Sequence, residues 1–177
     1  MSAPRRVSRP TVFLVAILLA SMAPATVHGQ MWSSRLLAQS GVPANNSPAN
    51  GQALISLVDK TLDVRVSWSD LQHHPQSICI WVKLPDSPGP SNDVALCLRD
   101  PIAQYRQQQG SHHFEVNLDR AQTYTPTFLQ RHEKSVAEAR STLIAALESG
   151  SAYVSITTQQ SPPGIEVGGQ VRATAGQ

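Results

Sequence analysis

The chain has 177 residues, of which 14 are Lys or Arg and 12 are Asp or Glu. Three of the basic residues stand at Arg5, Arg6 and Arg9, which leaves 11 basic against 12 acidic residues in the rest of the chain. This balance, without any Lys/Arg cluster, excludes a nucleic-acid-binding surface and a polybasic membrane-binding surface.

The N-terminal segment has the features of an export signal. The three arginines precede an apolar run over 12–20, and small residues follow it. Cleavage fits after Ala25 or after Gly29, and Gly29 is favoured because Pro24 lies beside the other position. The apolar stretch has about 15 residues, whereas a membrane-spanning helix needs about 20. We therefore expect a signal peptide over 1–29 and a secreted, extracellular chain (periplasmic in a bacterium) without a membrane span.

After the leader, the sequence predicts a single domain over 31–175 that is built mainly from short strands. The first strand and a loop rich in Pro and Asn occupy 30–50. The strictest alternation of apolar and polar residues lies over 62–68, which is typical of a half-buried antiparallel strand. Before the helix described below, strands are predicted over 31–38, 53–58, 62–68, 78–82, 94–98 and 114–118.

One helix and one hairpin are predicted to close the domain. Ser135 and Glu138 have the spacing of a capping box, and Gly150 is a natural helix stop, which predicts a helix of about 14 residues between them. Two short apolar alternations, 152–158 and 164–170, follow on either side of a Pro-Pro-Gly turn. The predicted fold class is mainly β: an antiparallel β-sandwich, superoxide-dismutase-like or immunoglobulin-like, with one amphipathic helix before the last hairpin. The apolar face of the predicted helix comprises Val136, Ala139, Leu143, Ile144 and Leu147.

The closing hairpin resembles the closing signature of the CHRD (chordin-type) domain. That family usually has a tyrosine-bearing strand ending Asn-Ile-His-Thr, a Pro-Gly turn, and Gly-Glu-Ile-Arg-Gly-Gln. Here Thr157 stands at the histidine position and Gly168 at the arginine position. Shorter stretches over 36–43, 51–53, 124–129 and 145–153 are similar to the family in the same order.

The resemblance implies an extracellular β-sandwich related to that of copper/zinc superoxide dismutase, and in chordin itself the binding of bone morphogenetic proteins. The family's His-Ile-His strand corresponds here to Cys79-Ile80-Trp81, so a metal role resting on those histidines does not carry over. We accordingly expect no metal, no cofactor and no catalytic residue. The family-motif positions are Cys79, Trp81, Tyr153, Ser155, Thr157, Gly164, Glu166, Gly169 and Gln170.

Cys79 and Cys97 are the two cysteines of the chain, and they lie on adjacent predicted strands. An even cysteine count in an exported chain favours one disulfide, and the alternative is two buried thiols on different strand faces.

Histidines offer the other candidate ligands. The pairs His73-His74 and His112-His113 are expected in loops flanking strands, where two pairs could hold a divalent metal; His132 stands apart. Neighbouring residues of a strand face opposite sides, which makes an adjacent pair a poor chelator, so exposed loop histidines are the favoured interpretation.

Asn45-Asn46-Ser47 is a glycosylation acceptor, with Pro48 after it lowering its use. Glu166 is expected to be a structural carboxylate that binds backbone donors. The sequence thus favours a secreted, non-enzymatic binding module for an extracellular protein or ligand. The alternatives are a metal-binding or redox protein like the dismutases, and a structural component of an envelope or matrix.

Overall fold

The structure is a computed structural model, and it describes residues 29–38, 46–83, 92–98, 108–159 and 164–174. The export leader (apart from Gly29) and the predicted glycosylation site at Asn45 lie outside the described residues, so both stay predictions.

The described chain has nine strands and two α-helices. The strands are β1 (Gln30–Leu37), β2 (Asn50–Val58), β3 (Thr61–Ser69), β4 (Pro75–Lys83), β5 (Asn92–Leu98), β6 (Gly110–Asn117), β7 (Ala152–Thr158), β8 (Gly164–Gln170) and β9 (Arg172–Ala173). Between β6 and β7 lie a 3₁₀ turn, Ala121–Thr123, and the helices α1 (Pro126–Arg131) and α2 (Val136–Ser149).

The strands form one curled antiparallel sheet, a half-barrel, in the order β5-β4-β7-β8-β1-β2-β3-β6, with β9 added beside β1. The prediction of a mainly β, antiparallel chain is confirmed. The predicted sandwich is not confirmed, because the described strands form a continuous hydrogen-bonded path rather than two stacked sheets. The specific likeness to superoxide dismutase or immunoglobulin folds is likewise not confirmed.

The period-two alternation of β3 places its apolar residues on the inner face of the curled sheet. Leu62, Val64, Val66 and Trp68 are buried there, and their neighbours in sequence point to the outer face. The register aligns Val64 with Ile55 of β2, so that apolar residues form continuous rows across the inner face. Burial of these rows is the main force that holds the sheet in its curl.

Helix α2 is the predicted amphipathic helix. Ser135 accepts a hydrogen bond from the Glu138 backbone at 3.2 Å, and Gly150 ends the helix in the left-handed conformation at φ 73°. Both ends therefore form as the capping signals predict. Its buried residues are Ala139, Leu143, Ala146 and Leu147, and it contacts β4, β7 and β9.

Helix α1 is not among the predicted elements. Thr125 caps it by accepting from the Phe128 N–H, Pro126 opens it, and Phe128 is fully buried. Beside it, the Tyr124 hydroxyl donates to the Leu118 carbonyl at 2.8 Å, and burial raises the pKa of Tyr124 to about 12. Within the described residues, no helix combines the length and the apolar character needed to span a membrane.

Candidate functional site

Three positions that carry histidine in the family lie on one face of the sheet. The register pairs Ser77 with Thr157, Cys79 with Ser155 and Trp81 with Tyr153. The residues between them on β4 are buried in the core on the opposite side. We call this surface the motif face; it consists of Ser77, Cys79, Trp81, Tyr153, Ser155 and Thr157.

The motif face is fastened to the edge strand by a disulfide. Cys79 of β4 and Cys97 of β5 are directly paired in the register, with their Cα atoms 4.2 Å apart, and their sulfurs are bonded. The predicted disulfide is present, and the alternative of two free thiols is excluded. The sulfur of Cys79 is thereby unavailable as a thiolate ligand.

Four other residues of the motif face are hydrogen-bonded in two pairs. The Trp81 indole donates to the Ser155 hydroxyl at 2.7 Å, and the hydroxyls of Ser77 and Thr157 are 2.5 Å apart. Ser155 is completely buried, whereas Trp81, Tyr153 and Thr157 are half-exposed. The face therefore has buried, hydrogen-bonded polar groups and a partly exposed rim, which consists of Trp81, Tyr153 and Thr157.

Gly168, which replaces the family's arginine, makes room for the Tyr153 ring. A Cβ atom added at Gly168 would lie 2.6 Å from two ring carbons of Tyr153 and closer still to its hydroxyl oxygen. Burial also raises the pKa of Tyr153. The absence of a side chain at Gly168 thus leaves the space beside β8 that the Tyr153 ring occupies at the rim of the motif face.

Glu166 stands where the pairing of β7 and β8 shifts register, and its side chain is buried at 2 % exposure. Its Oε1 accepts from the Gln72 backbone N–H at 2.6 Å and from the Ser47 hydroxyl at 2.7 Å. Its Oε2 lies 3.9 Å from Nδ1 of His73. The carboxylate thereby fixes two separate segments to β8, as expected of a structural group that binds a backbone donor.

This cluster does not have the order of a catalytic triad. A triad places the imidazole between the hydroxyl and the carboxylate, so that the imidazole can take the hydroxyl proton. Here the Glu166 carboxylate lies between the Ser47 hydroxyl and the His73 ring. The arrangement binds and orients segments of the chain.

Replacing Glu166 with alanine is expected to reduce the free energy of unfolding by about 2–3 kcal/mol, because two donors lose a charged acceptor. Urea unfolding measures the effect. The exposed Glu148→Ala change in α2 is the control and should stay within about 0.5 kcal/mol of the parent chain. Equal stability of the Glu166→Ala and Glu148→Ala proteins would show that the buried carboxylate does not hold these segments.

Only some of the histidines lie where the sequence predicts them. His73 and His74 are exposed in the connection from β3 to β4, as expected, but His112 and His113 lie on β6 rather than in a loop. The loop prediction for that pair is wrong because β6 begins at Gly110, earlier than its apolar residues indicate. His132 is half-buried, with its ring 4.6 Å from that of Phe128.

The two β6 histidines face opposite sides of the sheet, as adjacent strand residues must. The His112 ring lies 4.4 Å from Phe114, and burial together with the nearby His113 lowers its pKa. His113 instead contacts Asp63 on the outer face, with Nε2 2.5 Å from Oδ2. Burial works to raise the pKa of Asp63, but the hydrogen bonds from His113 and Arg65 outweigh it and hold the pKa below its usual value.

One group of potential ligands was not predicted from the sequence. Asp63, His113 and Glu115 each offer an atom, and these atoms lie within 4.8 Å of one another. In the part of the chain that the structure describes, this is the only such group of three. The residue types were visible in the sequence, but their proximity depends on the register of β3 with β6.

Residues 32–171 of the chain match the family model of the CHRD domain. No curated protein matches the chain, and no solved structure does. The match runs from β1 to the residue after β8 and includes the motif face, α1 and α2. The chain therefore belongs to the CHRD domain family.

Proposed function

We propose that the chain is an exported, non-enzymatic module that binds an extracellular protein through the half-exposed rim of the motif face. Membership of the CHRD family supports an extracellular-type binding module in general. The disulfide fits an oxidising compartment. Export follows from the proposal that 1–29 is a signal peptide removed before the domain, 31–175, reaches its destination.

The observation that carries the proposal is the chemistry of the motif face. Its histidine positions hold a disulfide sulfur, an indole and a hydroxyl, none of which is a good ligand for copper or zinc. The residues present do not fit the metal site that a dismutase-like function requires. Trp81 and Tyr153 are, in contrast, the residue types that most often dominate the binding energy of protein interfaces.

Partner capture tests the proposal. The mature chain, produced with its disulfide intact, serves as bait for the secreted fraction of its own source, and captured proteins are identified by mass spectrometry. For a partner so identified, Trp81→Ala should weaken binding by about 30-fold or more, the effect of an interface hot spot. Leu54→Ser, a change at an exposed residue on the outer face of β2, is the control and should leave binding unchanged.

Thermal unfolding of both variants checks that Trp81→Ala remains folded, because the change also removes the donor to Ser155. Unchanged affinity in a folded Trp81→Ala protein would refute the use of the motif face. Concentration-dependent self-association in sedimentation, with no partner captured, would instead support a structural component of an envelope or matrix.

A further inference from the structure

A second site lies on the outer face of the sheet, on strands far from the motif face in the strand order. Asp63 of β3 pairs directly with Glu115 of the edge strand β6, and His113 is two residues from Glu115. Residues two apart on a strand point to the same side, so all three side chains project from the outer face. Strand positions also hold these groups more rigidly than a loop does.

The local charges favour a bound cation. Like charges directly opposite on paired strands destabilise a sheet, and Asp63 and Glu115 are such a pair. Arg65 compensates the charge of Asp63, since its Nε lies 3.1 Å from Oδ1 of that carboxylate. The other oxygen, Oδ2, faces Nε2 of His113.

The two oxygens of Asp63 thus have different partners. Such an arrangement is typical of a metal-binding carboxylate that a neighbouring side chain holds in place. Arg65 orients the carboxylate by holding Oδ1, while Oδ2 faces Nε2 of His113. One imidazole nitrogen and two carboxylate oxygens form a mixed set that suits Zn²⁺. All three side chains are at least partly exposed, so water can fill the remaining coordination positions.

We propose that Asp63, His113 and Glu115 bind one Zn²⁺ ion on the outer face of β3 and β6. The ion lies between a carboxylate oxygen of Asp63, a carboxylate oxygen of Glu115 and a ring nitrogen of His113. Binding joins the edge strand to β3 through side chains as well as through the backbone. The site is independent of the motif face and adds a ligand to the proposed function.

Calorimetric titration of the full mature chain with ZnCl₂ at pH 7 tests the site. We expect saturable binding of one equivalent, reduced by at least 30-fold in His113→Gln and in Glu115→Gln. His112→Gln is the matched control, because its ring faces Phe114 on the other side of the same strand and the change should leave zinc affinity unaltered. Each variant is first compared with the parent chain by thermal unfolding without zinc.

Two results would overturn the site. One is the absence of a saturable equivalent in the folded parent chain; the other is zinc binding that survives both His113→Gln and Glu115→Gln. Partner binding that depends on Trp81 is not expected to change in any of these variants, so failure of the zinc site and failure of the proposed function can be told apart.

Discussion

Replacing Gly169 with alanine is expected to destabilise the protein by about 3 kcal/mol or more, the upper end of the cost of overpacking a core. An added Cβ would lie 2.8 Å from the Arg35 carbonyl carbon, closer still to its oxygen, and 2.6 Å from the Ser34 hydroxyl. The obstructing atoms include the backbone of β1, so the clash is relieved only by moving β1 away from β8. Urea unfolding measures the loss.

Gly168→Ala is the matched control one residue earlier. Its added Cβ meets the Tyr153 ring, and a side chain can turn aside where a strand backbone cannot. We therefore expect a cost of about 1–2 kcal/mol, clearly below that of Gly169→Ala. If Gly169→Ala proved as stable as the parent chain, or more stable than Gly168→Ala, the close approach of β8 to β1 would be wrong.

The second large effect concerns the disulfide. Cys79 and Cys97 are 18 positions apart, and a closed loop of this size stabilises a folded protein by about 3 kcal/mol, chiefly by restricting the unfolded chain. The double variant Cys79→Ala, Cys97→Ala should lose about that amount in urea unfolding. Using both changes avoids leaving one free thiol on the motif face.

Chemical reduction of the parent chain supplies the control, since it breaks the same bond without changing any side-chain position. The reduced parent and the double variant should unfold at similar urea concentrations, both below the oxidised parent. An oxidised parent that unfolds at the same urea concentration as its reduced form would contradict the stabilising role of the bond.

Local signals predicted much of this structure correctly. The alternation over 62–68 marks β3, and the Ser135 and Gly150 signals mark both ends of α2. The disulfide could also be predicted, because the two cysteines lie on adjacent predicted strands of a chain that is expected to be exported. Each of these inferences depends on residues that are close in sequence.

Features that depend on the pairing of residues far apart in sequence could not be predicted from local patterns. The strand order places β8 beside β1, which joins the described strands into a single curled sheet, and no short pattern encodes that contact. Helix α1 has only six residues, too few for a helical period to emerge from the sequence. The Asp63, His113 and Glu115 group likewise exists only through the register of β3 and β6.

The motif face shows how a family scaffold can persist while its chemistry changes. Ser155 and Glu166 occupy motif positions and serve the fold through hydrogen bonds to Trp81 and to the Gln72 backbone. Cys79 and Trp81 occupy histidine positions and form a crosslink and an aromatic rim. The scaffold is thus retained by side chains that cannot perform the metal chemistry associated with histidine.

The register of β4 with β7 is the most direct test of this account, since it alone brings the motif positions to one face. Nuclear Overhauser contacts in the mature chain should join the backbone protons of Cys79 with Ser155 and of Ile80 with Val154. A contact between the two α protons, or between the two amide protons, of Ile80 and Ser155 would instead reveal a shift by one residue. Such a shift would turn Cys79 and Trp81 into the core and contradict the motif face.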